Sequence, residues 1–526
     1  MTQPTDGHPS DNESLGTGPQ PVEFTDVVTS PAQPGSEAAP APRTRGRALL
    51  FGGLAAVLLA GVGGAVAVQQ LNGSGARPAD VLPGDTFGYV QVDIDPSAGQ
   101  KLAAVRFLAE VPEIKALESG DAREKLWDLA VARSGDDCLE SFDFARDIAP
   151  WLGERIGFGV RPGGTPEEPN VVVALQASDE EAATSTLDRL GDCREGGDDV
   201  DLRTRDGYVI VTKGGQGDAT LAAIQQGSLS EQNEFSGDMA ALGEQGLASA
   251  WWDLGKTVKE LAGKLPQTLV PGISPEAQGR VAAALRFDPG HAEIAGIARG
   301  LAGSQTLQPA AGDEAGLGSL PDDTIAAVHV SGGGAALKQA WPELEKRINA
   351  AASASGMDDV AGAIEDDLGL VLPDDLEALL GRSLTLSLPE QVLGFGMPTL
   401  GALITTDQAE RAAEVVTLIE EASGAAGILT KQVEGDRLYL STTPDYVARL
   451  KTAGSLGDTE SFKAALGDAD DADFALYVKL DPIEKLYLGE VDAKMRPALE
   501  SMRAVGLAIT ATGSGEAEFS FRVVAN

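Results

Sequence analysis

The chain has 526 residues, enough for about three to four domains. Hydrophobic residues make up 43% and aromatic residues only 5%, so its core must be built mainly from Ala, Val, Leu and Ile. The formal net charge of −40 repels phosphate backbones and anionic lipid headgroups. We therefore exclude nucleic-acid binding and attribute the acidity to solubility.

Residues 1–47 are predicted to be a disordered, Pro-rich cytoplasmic tail, because residues 1–42 are too polar to offset the entropy of ordering. An uncharged run at residues 48–68 follows Arg43, Arg45 and Arg47. As a helix this run extends for about 31 Å and matches a bilayer core of ~30 Å. The flanking arginines predict a single-pass cell-membrane protein with an extracytoplasmic C-terminal region.

A cleaved signal peptide is the alternative for this run, because Ala65-Val66-Ala67 resembles a cleavage site. The run is longer than a usual signal sequence and its acidic leader is atypical, so the transmembrane helix is favoured. Both interpretations export residues 71–526.

Small residues recur at every fourth position within the predicted span, which allows close approach of two helices. They are Gly52, Ala56, Ala60 and Gly64. A homodimer through this stripe is one hypothesis; the general Ala and Gly richness of the run is the competing explanation.

The two cysteines, Cys138 and Cys193, both lie in the exported part. An even, low count outside the cytoplasm favours a disulfide. Closing this loop would stabilise the fold by roughly 3–4.5 kcal/mol in the chain-entropy model. No metal-ligand spacing surrounds either cysteine.

The exported part repeats one pattern. Residues 81–92 and 319–330 both read as a Leu-Pro-x-Asp-Thr turn that leads into a strand. Later elements recur in the same order, including a short helix that ends at a glycine, at 147–153 and 375–381. Strands of the first copy are predicted at 87–92, 155–160, 171–177, 208–212, 248–254, 281–287 and 293–298. Those of the second copy are predicted at 325–330, 383–388, 401–405, 438–442, 474–480, 505–510 and 518–523.

These elements predict an α+β fold of two homologous repeats, each a mostly antiparallel sheet with helices on one face. The repeats follow the tail, the transmembrane helix and a linker at 69–79. We place repeat 1 at 80–305 and repeat 2 at 318–526.

This order of motifs resembles the bacterial domain-of-unknown-function family numbered 3352. The resemblance rests on Leu82-Pro83, Asp93-Ile94-Asp95-Pro96, Val111-Pro112 and residues 147–153, and it covers most of 80–526. It implies a disordered cytoplasmic tail, one membrane helix and a duplicated exported domain. The family has no established activity, so the resemblance assigns no functional residue.

Catalytic signatures are missing from the sequence. We interpret His8 as a tail residue, His291 as a turn residue and His329 as a polar strand position. There is no Gly-x-Ser-x-Gly elbow, His-Glu-x-x-His motif or phosphate-binding loop. We therefore expect no enzyme, cofactor or resident metal.

The densest acidic group fails the EF-hand pattern, because Gly is missing at position six and Lys479 replaces the bidentate Glu. It comprises Asp468, Asp470, Asp471 and Asp473. We interpret these carboxylates as solvated loop charge, and leave open whether acid clusters bind calcium.

Trp251 and Trp252 stand out in an aromatic-poor chain. Adjacent strand residues face opposite sides, so one indole is expected in the core and the other against helices or a groove. Both are speculative ligand contacts.

Three functions follow from these observations. The first is a non-enzymatic envelope protein that presents its exported domain to a protein or cell-wall partner. The alternative is a carrier that holds a lipid or other apolar ligand between sheet and helices. An unrecognised hydrolase that uses carboxylates is the third.

Overall fold

The computed structural model describes the chain from residue 76 onward, apart from 95–98, most of 101–136, 165–168, 193–199, 262–277, 302–315, 354–358, 393–395, 468–471, 490, 492–495 and 514. Among these described residues, none of the helices combines the length and the apolar character needed to cross a membrane. The predicted tail, the span at 48–68 and its small-residue stripe lie outside the described residues. They stay predictions.

The strands form a single sixteen-stranded sheet in which every neighbouring pair is antiparallel. The first half contributes β1 Gly88–Asp93, β2 Leu152–Arg161, β3 Asn170–Ala177, β4 Val200–Arg205, β5 Tyr208–Lys213, β6 Ala248–Asp253, β7 Arg280–Asp288 and β8 His291–Arg299. The second half contributes β9 Thr324–Ser331, β10 Ser383–Pro389, β11 Gly401–Thr405, β12 Thr430–Glu434, β13 Arg437–Ser441, β14 Phe474–Lys479, β15 Met502–Gly513 and β16 Glu516–Ala525. The predicted α+β class and antiparallel sheet are confirmed.

The strand order is the same when it is followed inward from either edge of the sheet. It reads β12-β13-β11-β10-β9-β14-β15-β16-β8-β7-β6-β1-β2-β3-β5-β4. Counted within its own half, each set runs fourth, fifth, third, second, first, sixth, seventh, eighth from edge to centre. The halves meet where β8 pairs with β16.

Helices fill the connections between strands. In the first half they are α1 Asp137–Glu140, α2 Glu180–Asp192, α3 Gly217–Gln226, α4 Asn233–Leu242 and α5 Leu254–Leu261. In the second half they are α6 Gly333–Ser353, α7 Val360–Leu368, α8 Asp374–Leu380, α9 Ala409–Ala422, α10 Pro444–Leu450, α11 Glu460–Leu466, α12 Glu484–Tyr487 and α13 Arg496–Glu500.

The Leu-Pro-x-Asp-Thr segments form matching turns before β1 and β9. Thr86 N donates to the Pro83 carbonyl at 3.1 Å, and Thr324 N donates to the Pro321 carbonyl at 3.0 Å. Proline restricts φ to values that suit such a turn, so the chain enters each strand in the same way.

Helices pack on both faces of the sheet, which corrects the prediction of one face. On β5, Val209 clusters with Ala183 of α2, whereas Tyr208 and Ile210 cluster with Phe235 of α4. Neighbouring strand residues point to opposite faces, so α2 and α4 lie on opposite sides. The prediction failed because these strands carry apolar side chains on both of their faces. Both faces of the sheet must therefore be covered by helices.

The predicted helix at 147–153 is also displaced. A π-helical turn at Phe144–Ile148 precedes β2, which already begins at Leu152. The carboxylate of Asp143 accepts the backbone N–H of Arg146 at 2.8 Å and fixes the earlier start. In the second half α8 ends before Gly381, as predicted.

Candidate functional site

Two faces of the sheet differ in what covers them. Face A carries Tyr89 and Trp251 in the first half and Ala475 and Tyr477 in the second, all of which are buried. Cross-strand pairs continue this face without interruption across the joint between the halves. Face B is the opposite side.

Face B of the six neighbouring strands β8, β16, β15, β14, β9 and β10 is apolar at every position of three adjacent rows. The central row is Ile294, Phe521, Leu507, Leu476, Val328 and Leu386. One flanking row is Ala292, Val523, Val505, Val478, Ala326 and Leu388. The other is Gly296, Phe519, Ile509, Phe474, Val330 and Leu384. We call these three rows the apolar face.

The apolar face is exposed to solvent at three of the six positions of its central row. Leu386 is 47% exposed, Ile294 is 43% exposed and Phe521 is 36% exposed. Every other side chain of the three rows is half-buried, and the sole buried residue is Gly296, which has no side chain. A solvated face of an antiparallel sheet normally carries polar residues. This surface has a footprint of roughly 500 Å² from ordinary strand and residue spacings, and an apolar patch of that size is a candidate contact site.

Packed side chains cover part of this surface at each of its two ends. Near β8 and β16, Ala103 and Phe107 cluster with Phe287 and Ala525, and the rings of Phe107 and Phe287 lie 5.8 Å apart. At the other end, Leu384 packs in the cluster that contains Ala378 of α8. These contacts cover opposite ends of the two flanking rows, and we call the central row between the flanking rows the apolar channel.

A buried carboxylate on face A ties the two halves together beneath the channel. Glu293 on β8 accepts hydrogen bonds from Ser520 Oγ at 2.7 Å and Arg522 Nε at 2.9 Å on β16. Burial acts to raise the pKa of Glu293, but these hydrogen bonds outweigh it and lower the pKa below its usual value. The charged form therefore persists at this joint.

Trp251 is a core residue and offers no ligand contact in this conformation. Its indole is buried on face A, and Nε1 donates to Asp238 at 2.9 Å. Asp238 also accepts from Arg280 Nε at 2.7 Å and Arg299 Nη1 at 3.0 Å. A ligand contact at Trp251 stays a prediction, and the burial of its indole gives that prediction no support.

Trp252 points to face B, as its alternation with Trp251 requires. Its ring lies over Gly88, where any side chain would collide with it, and its Nε1 donates to Thr257 Oγ1 at 2.7 Å. Half-buried on β6, it is separated from the apolar face by β7. A ligand contact at Trp252 stays a prediction.

Cys138 lies in α1 and its sulfur is 3.6 Å from the carbonyl oxygen of Leu190, in the last turn of α2. Within the described residues no cysteine has a free thiol. Because Cys193 lies outside them, its pairing with Cys138 stays a prediction.

The structured histidines lie in strands. His329 is buried on face A of β9, with Nδ1 2.8 Å from Thr385 Oγ1 and Nε2 3.0 Å from Ser331 Oγ. His291 is the first residue of β8 rather than part of the turn. Burial lowers the pKa of His291, aided by Arg522. Neither ring faces the apolar channel.

Metal ligation finds no support in the part of the chain that the structure describes, where no three His, Cys, Asp or Glu side chains could hold an ion. Of the acidic group singled out above, Asp468, Asp470 and Asp471 lie outside that part. Asp473 lies within it, and its Oδ2 accepts the N–H of Ala511 at 2.6 Å.

Residues 49–229 match the family model described as "Protein of unknown function (DUF3352)". These residues belong to the DUF3352 family. The DUF3352 match begins inside the predicted span at 48–68 and ends in the first half of the sheet, so residues 230–526 lie beyond it.

Solved structures add little to the DUF3352 assignment. Crystal form IV of TP0453 is 10% identical over 43% of this chain and 81% of that chain, with a TM-score of 0.24. Crystal form III of TP0453 is 6% identical over 43% of this chain and 80% of that chain, with a TM-score of 0.23. A likeness this weak supports no argument about fold or function. No curated protein matches the chain significantly.

Proposed function

We propose that this DUF3352 protein is a non-enzymatic, membrane-anchored binding protein of the cell envelope, whose exported domain holds the acyl chain of a lipid on the apolar face. The single observation that carries the proposal is the uninterrupted apolar central row from Ile294 to Leu386, which is exposed at both ends and flanked by apolar neighbours on both sides. Removing such a surface from water stabilises a complex by about 25 cal/mol per Å².

The size and chemistry of the apolar face favour a hydrocarbon chain over a protein. A stable protein interface buries about 800 Å² on each partner, more than the roughly 500 Å² available here. Protein interfaces also include hydrogen-bonding groups, which none of the side chains in the three rows supplies. A protein or cell-wall partner is the competing occupant.

We also propose that 80–305 and 318–526 are copies of one domain. The equal strand order of the two halves supports this view. So does a shared aspartate before β2 and β10: Asp147 contacts Arg189 of α2 at 3.5 Å, and Asp375 contacts Arg411 of α9 at 2.7 Å. Each carboxylate also accepts the backbone N–H four residues earlier.

The predicted anchor and disulfide complete the proposal. A span at 48–68 would keep the exported domain beside its lipid source, and the family match starts within that span. The position of Cys138 beside the end of α2 supports a bond to Cys193, which follows that helix. Peptide mapping without reduction would find the two cysteine peptides linked.

Photo-crosslinking of the full chain in living cells tests the acyl-chain proposal. A benzophenone amino acid replaces Phe521, and the irradiated protein is analysed by mass spectrometry. We expect an added mass equal to a lipid. The matched control places the same group at Glu518, an exposed residue on the opposite face of β16.

Each outcome separates the candidates. A lipid adduct at Phe521 with none at Glu518 supports the carrier. A protein adduct at Phe521 replaces the carrier with a partner-binding surface. Equal labelling at both positions, or none at either, contradicts specific binding at the apolar face.

A further inference from the structure

The connection between β10 and β11 carries apolar side chains into solvent. Val392 is 81% exposed and Met397 is 60% exposed, and Leu400 at its base is also exposed. The sequence from 391 to 406 contains no Asp, Glu, Lys or Arg. Exposed apolar residues in an uncharged stretch are the signature of a contact surface rather than of solubility.

The fold does not require this connection to be apolar. The corresponding connection between β2 and β3 in the first half spans residues 162–169 and reads Pro-Gly-Gly-Thr-Pro-Glu-Glu-Pro. Both connections join the second and third strands of their half, so they have the same place in the topology. The exposed Val392 and Met397 therefore have a use beyond closing a hairpin.

The neck of the connection satisfies its own polar groups. Gln391 Nε2 donates to the Thr399 carbonyl at 2.7 Å and the Pro389 carbonyl at 3.2 Å, while Thr399 N donates to Gln391 Oε1 at 2.7 Å. Leu400 N donates to Thr442 Oγ1 at 3.0 Å. These hydrogen bonds hold the two ends of the connection together.

Apolar surface continues from this neck onto the apolar face. Leu400 lies two residues before Ala402, which pairs with Leu386 of the central row. Leu388 of a flanking row leads directly into the connection through Pro389. Leu400 and Leu388 therefore place apolar side chains where the connection joins the apolar face.

We propose that Val392 and Met397 dock into the surface of a zwitterionic lipid bilayer and open the apolar face onto it. This inference rests on the proposed function. A few exposed side chains are too small a surface for a protein partner, yet they suit the headgroup–acyl boundary of a bilayer. The net charge of −40 selects zwitterionic over anionic lipids.

Fluorescence quenching tests the docking on the full chain reconstituted in phosphatidylcholine vesicles. A fluorescent amino acid replaces Val392, and part of the lipid carries bromine on its acyl chains. We expect at least twofold quenching at this position. The control position is Thr512, which is exposed in the β15–β16 hairpin at the other end of the strands. Absence of quenching at Val392, or equal quenching at Thr512, would overturn the docking.

A second variant separates docking from the folding of the chain and from the carrier function. Met397→Asp places a charge at an exposed position and should remove most of the quenching at Val392; unchanged quenching refutes docking by Val392 and Met397. The Phe521 crosslink is measured in the same vesicles. A lipid adduct without quenching refutes the docking and leaves the carrier intact, whereas quenching without an adduct supports the docking and refutes the carrier.

Discussion

At the scale of single residues, Asp238 is the buried charge whose partners are most completely defined. It lies on face A with two arginines and an indole N–H directed at one carboxylate. Such a cluster fixes local geometry more than it adds stability, because desolvating the ions offsets much of their attraction. Removing the carboxylate destabilises the fold strongly, because it leaves the two arginines without their counter-ion.

We expect Asp238→Ala to lower the free energy of unfolding by about 3–5 kcal/mol. Urea titration followed by tryptophan fluorescence measures this change. The matched control is Asp218→Ala, which removes an exposed carboxylate from Arg203 and should change the free energy of unfolding little. Equal effects of the two substitutions would show that the Asp238 cluster is not specifically coupled to the fold.

Asp375 makes the stability of the fold depend on pH in the acidic range. The hydrogen bond from Arg411 lowers its pKa below the usual 3.8, against the opposing effect of burial. A carboxylate with a lowered folded pKa contributes stability above its unfolded pKa, and that contribution is lost as pH falls through the folded value. Its share of stability is therefore constant near neutrality and declines below about pH 4.

Asp375→Asn should accordingly reduce stability at pH 7 and flatten the decline of stability below pH 4. Urea midpoints measured between pH 7 and pH 2.5 test both effects. Asp367→Asn, at an exposed position of α7, serves as control and should leave the profile unchanged. A parallel profile for Asp375→Asn would refute the coupling to Arg411.

At the scale of secondary-structure elements, apolar face residues should matter for binding and little for folding. Phe521→Ser and Leu386→Ser remove partly exposed side chains, so each should cost less stability than a substitution at a fully buried core position. The double variant should reduce the amount of lipid recovered with the purified full chain at least tenfold. Lipid mass spectrometry and urea titration measure the two effects.

Tyr477→Ser provides the contrast on the other face of β14. Its ring is buried against Phe462, with centroids 5.2 Å apart, and its loss should cost about 3 kcal/mol or more. If the face B pair proves as destabilising as Tyr477→Ser, the apolar face is part of the core and not a binding surface.

Most strand positions could be predicted because turn signals such as the Leu-Pro turns precede strands, whereas β4 and β12 are not among the predicted strands. The apolar face could not be predicted, although β14 carries a signal. Phe474, Leu476 and Val478 alternate with Ala475 and Tyr477, so the side chains on both faces of this strand are apolar. That pattern predicts burial on both sides. Only the tertiary arrangement reveals that one side is left open.

At the scale of the whole molecule, a single sheet shared by both halves leaves β4 and β12 as its edges. Separating the halves would expose β8 and β16 as two new edges with unpaired backbone groups. Residues 76–301 and 316–526 expressed separately should therefore form oligomers or aggregates, whereas the two expressed together should associate. Light scattering after size exclusion distinguishes these states; two soluble monomers would show that the joint is dispensable.

The chain enters the sheet from face A. Ala76, the first described residue, accepts a hydrogen bond from the Tyr208 hydroxyl at 2.8 Å, and Pro78 then crosses Gly157 on face A. From the end of the predicted span at 68, the intervening residues reach at most about 25–30 Å. In the anchored protein that we propose, this short linker would limit the distance between the domain and the bilayer but not the tilt of the domain. Because the chain enters on face A, the linker would not lie between face B and the bilayer.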